Sequence, residues 1–158
     1  MSFLRFLIIL SLAIWVGGLA FFPVVAQTAF SVLPAPHLAG LVVRRSLIAL
    51  HWIGLISGVV FLAASLLHNR LSRGTPHVLA APHIAVALML LLTLISHFGI
   101  IPRMDALRAT TGDISSLPSS DAIRVQFDAL HAWSTRLEGA VLVLGLVAIF
   151  SVARSTYS

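Results

Sequence analysis

Three histidines, His51, His97 and His131, lie near the ends of three different apolar segments of this 158-residue chain. If the segments cross a bilayer in alternating directions, all three of these ends fall on the same side of the membrane. Imidazole nitrogen is a ligand for haem iron and for copper. The sequence therefore predicts a cofactor site at one membrane face that uses His51, His97 and His131.

The ligands available to such a site are restricted, because the chain has no cysteine. A metal site must then use nitrogen, oxygen or methionine sulfur. Met104 follows His97 closely, and we predict His97, His131 and Met104 as candidate metal ligands. Imidazole with a thioether suits copper, whereas two imidazoles suit haem iron, so both haem b and copper remain candidate cofactors.

A carboxylate also lies within the last apolar segment. His131, Ser134 and Glu138 follow one another at spacings of i, i+3 and i+7, which places them on one face of a helix. An acidic residue inside a spanning helix costs roughly 2.5–3.5 kcal/mol, so Glu138 should face protein and be paired or protonated. Arg136, Arg45 and His51 are its candidate partners. Either a proton or metal site or a structural ion pair would explain this pattern.

The elements that must position these residues are spanning helices. Hydrophobic residues make up 59% of the chain and charged residues 9%, with a mean hydropathy of +1.04. A helix needs roughly 20 apolar residues to cross a bilayer core, and the stretches of that length are 3–26, 47–67, 78–101 and 130–152. We predict an all-α integral membrane four-helix bundle, with residues 1–158 forming a single transmembrane domain, in a bacterial cytoplasmic membrane.

Two longer connections, 27–46 and 102–129, lie on the membrane side that we call side B, together with the three histidines. Short interfacial helices are expected in both connections, and Ser120 or Asp121 is suited to cap the helix that leads into the last span. On span two, the Gly54-x-x-x-Gly58 pattern predicts close approach of a neighbouring helix. His51 lies on the same stripe and should face protein.

Arginines add a polar ring to side B. The chain contains ten arginines and no lysine against five acids, for a formal charge of +5. Such an excess is typical of anchoring at anionic lipid headgroups, and we expect no nucleic-acid partner. The predicted polar network on side B consists of Arg44, Arg45, Arg103, Arg136 and Glu138.

The motifs that run through this pattern carry a family resemblance. They are Trp15-Val-Gly-Gly-Leu-Ala-Phe-Phe-Pro23, Arg44-Arg45 before His51, His97 with Pro102-Arg103, and Phe127-x-x-Leu130-His131-x-x-Ser134. Together they resemble the copper-resistance-D-like superfamily of four-helix membrane proteins, and most closely its transmembrane protein 205-like domain family. The resemblance implies a bundle of this architecture with a connection to haem, other tetrapyrroles or copper.

Two functions are compatible with the sequence. The first is a haem- or copper-handling membrane protein with its site on side B. The second is a non-catalytic subunit or scaffold, either as a homo-oligomer or within a larger membrane complex. The superfamily also includes a haem-binding protoporphyrinogen oxidase, which has a histidine near the start of helix one and a lysine that this chain lacks. We therefore assign no enzymatic activity from the sequence.

Overall fold

The protein is described by a computed structural model, which covers residues 1–73 and 80–156, and four of its helices are long and apolar enough to cross a membrane. This finding confirms the all-α four-helix prediction. The third spanning helix is built from three consecutive parts. The helices are α1 (Ser2–Val32), α2 (Pro36–Arg73), α3 (Ala81–Leu94), a π-helical turn (Ile95–Ile100), α4 (Ile101–Thr111) and α5 (Ala122–Thr156).

The helices extend beyond the apolar stretches that predicted them. A hydropathy window detects only the hydrocarbon-crossing part of a helix, whereas backbone hydrogen bonding continues through the polar residues at either end. The first two predicted residues of span three, 78 and 79, lie outside the described residues. Short helices are expected within the connections 27–46 and 102–129, and helix is present in both, as the first turns of α2 and α5 and as α4.

The side B connections are short because helix occupies most of them. Pro36 begins α2, where a proline has no intrahelical N–H to lose. Between α4 and α5, Asp113 starts a short 3₁₀ turn, Ile114–Ser116, by accepting a hydrogen bond from the Ser115 N–H at 3.0 Å. Asp121 accepts from the Ile123 N–H at 2.8 Å, which confirms the predicted acidic cap before α5.

The interface between α1 and α2 is built around Trp15, whose side chain is 1% exposed. Its indole lies directly over Gly54 and Gly58, so a Cβ atom at either glycine would overlap it. The close approach that the glycine pattern predicts therefore involves a large aromatic side chain as well as backbone. Because this interface fixes the rotation of α2, it also directs His51 into the bundle, where it is 1% exposed.

Candidate functional site

A polar cluster joins three helices inside the bundle, and we call His51, Ser96, His97 and Glu138 the His–Glu cluster. Glu138 on α5 reaches across to His51 on α2, with 2.7 Å between Oε1 and the imidazole Nε2. The other ring nitrogen of His51, Nδ1, lies 3.3 Å from Nδ1 of His97. His51 thus has a titratable partner at each ring nitrogen while being almost fully buried.

Glu138 is satisfied on one side only. Its Oε1 accepts from His51 and also from the Ser96 hydroxyl at 3.3 Å. Its Oε2 is buried and has no hydrogen-bond partner among the described residues. A buried carboxylate oxygen without a hydrogen-bond partner lowers the stability of the fold. Ionisable groups that are kept inside a membrane protein at such a cost are commonly functional.

The π-helical turn brings His97 to His51. The N–H of Ile101 donates to the carbonyl of Ser96, five residues earlier. Pro102 follows directly, and a proline has no N–H to donate and crowds the preceding helical turn. One-turn π-helices occur frequently at functional sites because they change the direction of a side chain within a helix. Here the turn contains both Ser96 and His97.

Aromatic side chains flank His97 on its outer side. Its ring makes edge contacts with Trp52, at 5.2 Å between centroids, and with Phe98, at 4.6 Å. Trp52 and Phe98 are 50% and 61% exposed, so they form part of the outer surface of the bundle. His97 itself is half-buried. The His–Glu cluster therefore extends from the outer surface to the interior.

A cavity of about 800 Å³ lies next to this cluster on side B. Most of its lining is apolar and comes from α1, α2, α4 and α5, and Glu138 belongs to its wall. The residues that matter for its chemistry are Leu19, Phe22, Phe30, Leu47, Met104, Phe127 and Leu142 as the apolar part, with His37, Arg44, Asp105, Arg108, Asp113, His131 and Glu138 as the polar part.

One carboxylate in this cavity faces two guanidinium groups. Arg44 on α2 donates from Nε and Nη2 to the two oxygens of Asp105 on α4. Nη1 of Arg108 lies 3.6 Å from Oδ1 of Asp105. The guanidinium carbon of Arg108 also lies over the ring of Phe127, 4.9 Å from the ring centroid. Two positive charges against one negative charge leave this part of the wall with a net positive charge, which favours an anionic group beside Arg44 and Arg108, while Asp113 and Glu138 line other parts of the cavity.

Asp113 lies at the outer edge of the cavity, outside the spanning helices. Hydrogen bonds from the Ser115 hydroxyl and N–H lower the pKa of its carboxyl, and His37 adds a smaller attraction from 3.7 Å. The Asp113 side chain is 39% exposed, and its interaction with Ser115 organises the 3₁₀ turn locally.

The structure separates the three predicted histidines. His51 and His97 lie together, whereas His131 is an exposed residue on the cavity wall whose ring makes no hydrogen bond within residues 1–73 and 80–156. Met104 is 7% exposed and lines the same cavity. Among the described residues, no three or more His, Asp or Glu side chains form a group that could hold a metal ion.

The predicted polar network is also divided. Of the three candidate partners of Glu138, the structure places His51 against it. Arg44 pairs with Asp105 instead, and Arg136 is exposed with its guanidinium over Trp133, 5.3 Å from the ring centroid. Arg45 and Arg103 are exposed as well. Of the ring expected on side B, Glu138 belongs to the His–Glu cluster and Arg44 to a separate Arg44–Asp105–Arg108 group. The other three arginines belong to neither group.

Sequence reasoning missed three residues of these groups: Ser96, Asp105 and Arg108. Asp105 and Arg108 are spaced i, i+3 on α4, a spacing typical of a helical ion pair, and this signal was available in the sequence. Ser96 directly precedes His97, and nothing in the sequence indicates that its hydroxyl reaches Glu138. Its position depends on how α5 packs against the π-helical turn.

Four spanning helices around a buried polar cluster define a small multi-pass integral membrane protein. The chain belongs to the family described as Domain of unknown function (DUF4149), which matches residues 10–112. The matched segment contains His51, Ser96, His97 and Met104, whereas His131 and Glu138 lie beyond it. No curated protein and no solved structure matches the chain.

Proposed function

We propose that this protein binds an amphipathic, acidic small molecule of the tetrapyrrole class in its side B cavity, with haem as the leading candidate. The proposed location of the protein is a bacterial cytoplasmic membrane. The observation that carries this proposal is an apolar cavity in which two arginines, Arg44 and Arg108, share the single carboxylate of Asp105. An apolar macrocycle with carboxylate side groups has the complementary chemistry. The cavity volume of about 800 Å³ is also suitable, because small-molecule pockets typically measure about 300–1,000 Å³.

The donors in the cavity fit a metal that is carried by a macrocycle. Haem iron needs only one or two axial ligands from the protein. His131 lines the cavity with an imidazole that makes no hydrogen bond within the described residues, and the Met104 thioether lies in the same wall. His51 is less suitable as a ligand, because both of its ring nitrogens already face Glu138 and His97. We therefore assign the ligand role to His131 and Met104.

The acidic groups of the ligand would meet the arginines. Arg108 shares Asp105 with Arg44, so its guanidinium retains capacity for a second carboxylate. A bound haem would supply electron-transfer or oxygen chemistry, set by its axial ligands and the polarity around it. The resemblance to the copper-resistance-D-like superfamily, and to its transmembrane protein 205-like family, supports the tetrapyrrole or copper connection.

The test uses the full-length protein purified in a mild detergent and titrated separately with haemin, iron-free protoporphyrin IX and copper(II). We expect saturable haemin binding with a shifted Soret band. Protoporphyrin IX has no iron and cannot take an axial ligand, so we expect it to bind more weakly than haemin. Quenching of its fluorescence measures this binding. His131→Ala should remove the Soret shift, and Arg108→Gln should weaken binding of both porphyrins.

Two controls lie at the opposite end of the bundle, where His68→Ala and Arg70→Gln should change neither result. If the protein bound stoichiometric copper but no porphyrin, its ligand would be a copper ion and not a tetrapyrrole. A protein that binds none of the three probes would overturn the proposal. If that protein also co-purified with another membrane complex, the non-catalytic subunit predicted as the alternative would take its place.

A further inference from the structure

We propose that His97, His51 and Glu138 form a proton relay, which delivers a proton to, or removes one from, a molecule held in the side B cavity. The relay acts on a molecule bound in the cavity of the proposed function, and it adds acid–base chemistry to binding. It does not depend on which molecule occupies the cavity. Its basis is a continuous line of three titratable side chains from the outer surface of the bundle to the cavity wall.

The hydrogen-bond directions follow from the donors and acceptors available. An ionised carboxylate only accepts hydrogen bonds, so Nε2 of His51 carries its proton when Glu138 is charged. A neutral His51 then has a bare Nδ1, and this atom accepts from the Nδ1–H of His97 across the 3.3 Å contact. One tautomer of each ring therefore satisfies both contacts without an additional charge.

A proton that binds Nε2 of His97 converts that ring to an imidazolium. The Nδ1 proton of His97 then moves to Nδ1 of His51, and the Nε2 proton of His51 moves to Oε1 of Glu138. Two N–H bonds break while one N–H and one O–H bond form, so no other reactant is required. The three groups have zero net charge before and after, since an imidazolium and a carboxylate become two neutral rings and a carboxylic acid.

This cancellation of charge is favourable inside a membrane. An isolated ion is costly in a low-dielectric interior, whereas a neutral end state avoids that cost. Chains of histidine and acidic side chains serve as proton pathways in membrane pumps and transporters for the same reason. The Ser96 hydroxyl, 3.3 Å from Oε1 of Glu138, helps to hold the receiving carboxyl in place.

The outer end of the relay lies about one to two helical turns deeper in the membrane than Arg103. Arg103 is exposed and follows His97 by six residues, which corresponds to about 9 Å along a helix axis. Arg103 directly follows the apolar stretch of this helix, and an exposed arginine in that position belongs at the headgroup level, where water is available. At the inner end, the other titratable or charged side chains of the cavity wall are His37, Arg44, Asp105, Arg108, Asp113 and His131.

The first test is NMR on ¹⁵N-histidine-labelled protein in detergent micelles without ligand. We expect a scalar coupling between the Nδ1 atoms of His51 and His97, which is transmitted only through a hydrogen bond. On acidification, His51 should change from its Nε2–H to its Nδ1–H tautomer as Glu138 becomes protonated. The ¹³C signal of the Glu138 carboxyl group measures that protonation. In Glu138→Gln the coupled tautomer change should be lost, whereas Asp128→Asn, an exposed carboxylate on the same helix, should retain it.

The second test measures proton exchange when protoporphyrin IX binds, by calorimetry in two buffers of different ionisation enthalpy. Wild type and Asp128→Asn should show a buffer-dependent heat, and Glu138→Gln should bind with that dependence lost. Rings that titrate independently, with Glu138 ionised throughout, would overturn the relay. Absence of porphyrin binding would overturn the proposed function instead, and the ligand-free NMR measurement would still decide between a relay and a static hydrogen bond.

Discussion

Nε2 of His51 lies 2.7 Å from Oε1 of Glu138, although the two residues are 87 positions apart in the chain. This contact joins α2 to α5 inside the spanning part of the bundle. Each group is the partner that makes burial of the other tolerable, since an unpaired polar or charged group inside a protein is costly. The contact therefore contributes both to the stability of the bundle and to the proposed proton relay.

Removal of the Glu138 side chain should destabilise the protein. Glu138→Ala leaves Nε2 of His51 buried without an acceptor, which typically costs about 1–3 kcal/mol. Glu138→Gln should cost less, because the amide oxygen can still accept from His51. Thermal unfolding in detergent measures the difference, with Asp128→Asn as an exposed control expected within about 0.5 kcal/mol of wild type. Equal stability of all three variants would show that the contact contributes nothing.

The packing of Trp15 against α2 predicts a contrast between two glycines. Gly54→Ala places a Cβ atom into the indole of Trp15 and should cost about 1–3 kcal/mol, as overpacking usually does. Gly17→Ala is the matched control, since a Cβ atom there meets nothing within 4 Å. Unfolding of both variants in the same detergent tests this difference. If Gly54→Ala were as stable as Gly17→Ala, the indole would not be tightly held.

The Arg44–Asp105–Arg108 group predicts opposite effects on ligand affinity. Asp105→Asn removes the carboxylate that faces both arginines, so an acidic porphyrin should bind on the order of 2- to 5-fold more tightly, the range expected for partly exposed ion pairs. Arg108→Gln should weaken binding by a similar factor. Both effects should decrease at high salt. Fluorescence quenching of protoporphyrin IX at two ionic strengths tests the signs, and effects of the same sign would contradict an electrostatic role.

The turn at Asp113 predicts a pH effect outside the membrane. Its hydrogen bonds to Ser115 lower the pKa of the carboxyl, so the turn is stabilised above the ordinary carboxyl range. This stabilisation is lost as the pH falls through the lowered pKa. Ser115→Ala should raise the pKa of Asp113 towards its ordinary value of about 3.9. Carboxyl ¹³C NMR titration of wild type and Ser115→Ala measures the shift, and identical titration curves would contradict the assignment.

The sequence alone determined the class and the helices of this protein. Hydrocarbon selects long apolar segments by composition and length, both of which are local properties of the chain. The Asp121 cap was equally predictable, because its acceptor acts on an N–H only two residues away. The helical period also placed His51 on the Gly54/Gly58 stripe, and the structure shows the buried side chain expected from that position.

Only the tertiary structure decided which polar groups meet. A period of 3.6 residues assigns side chains to the face of one helix, but it does not set the rotation or axial offset of one helix against another. Those offsets, established by contacts such as Trp15 over Gly54, bring Glu138 to His51 and leave His131 on the cavity wall. The π-helical turn adds a local change in direction at His97. For these reasons three histidines that are alike in the sequence have different surroundings in the folded protein.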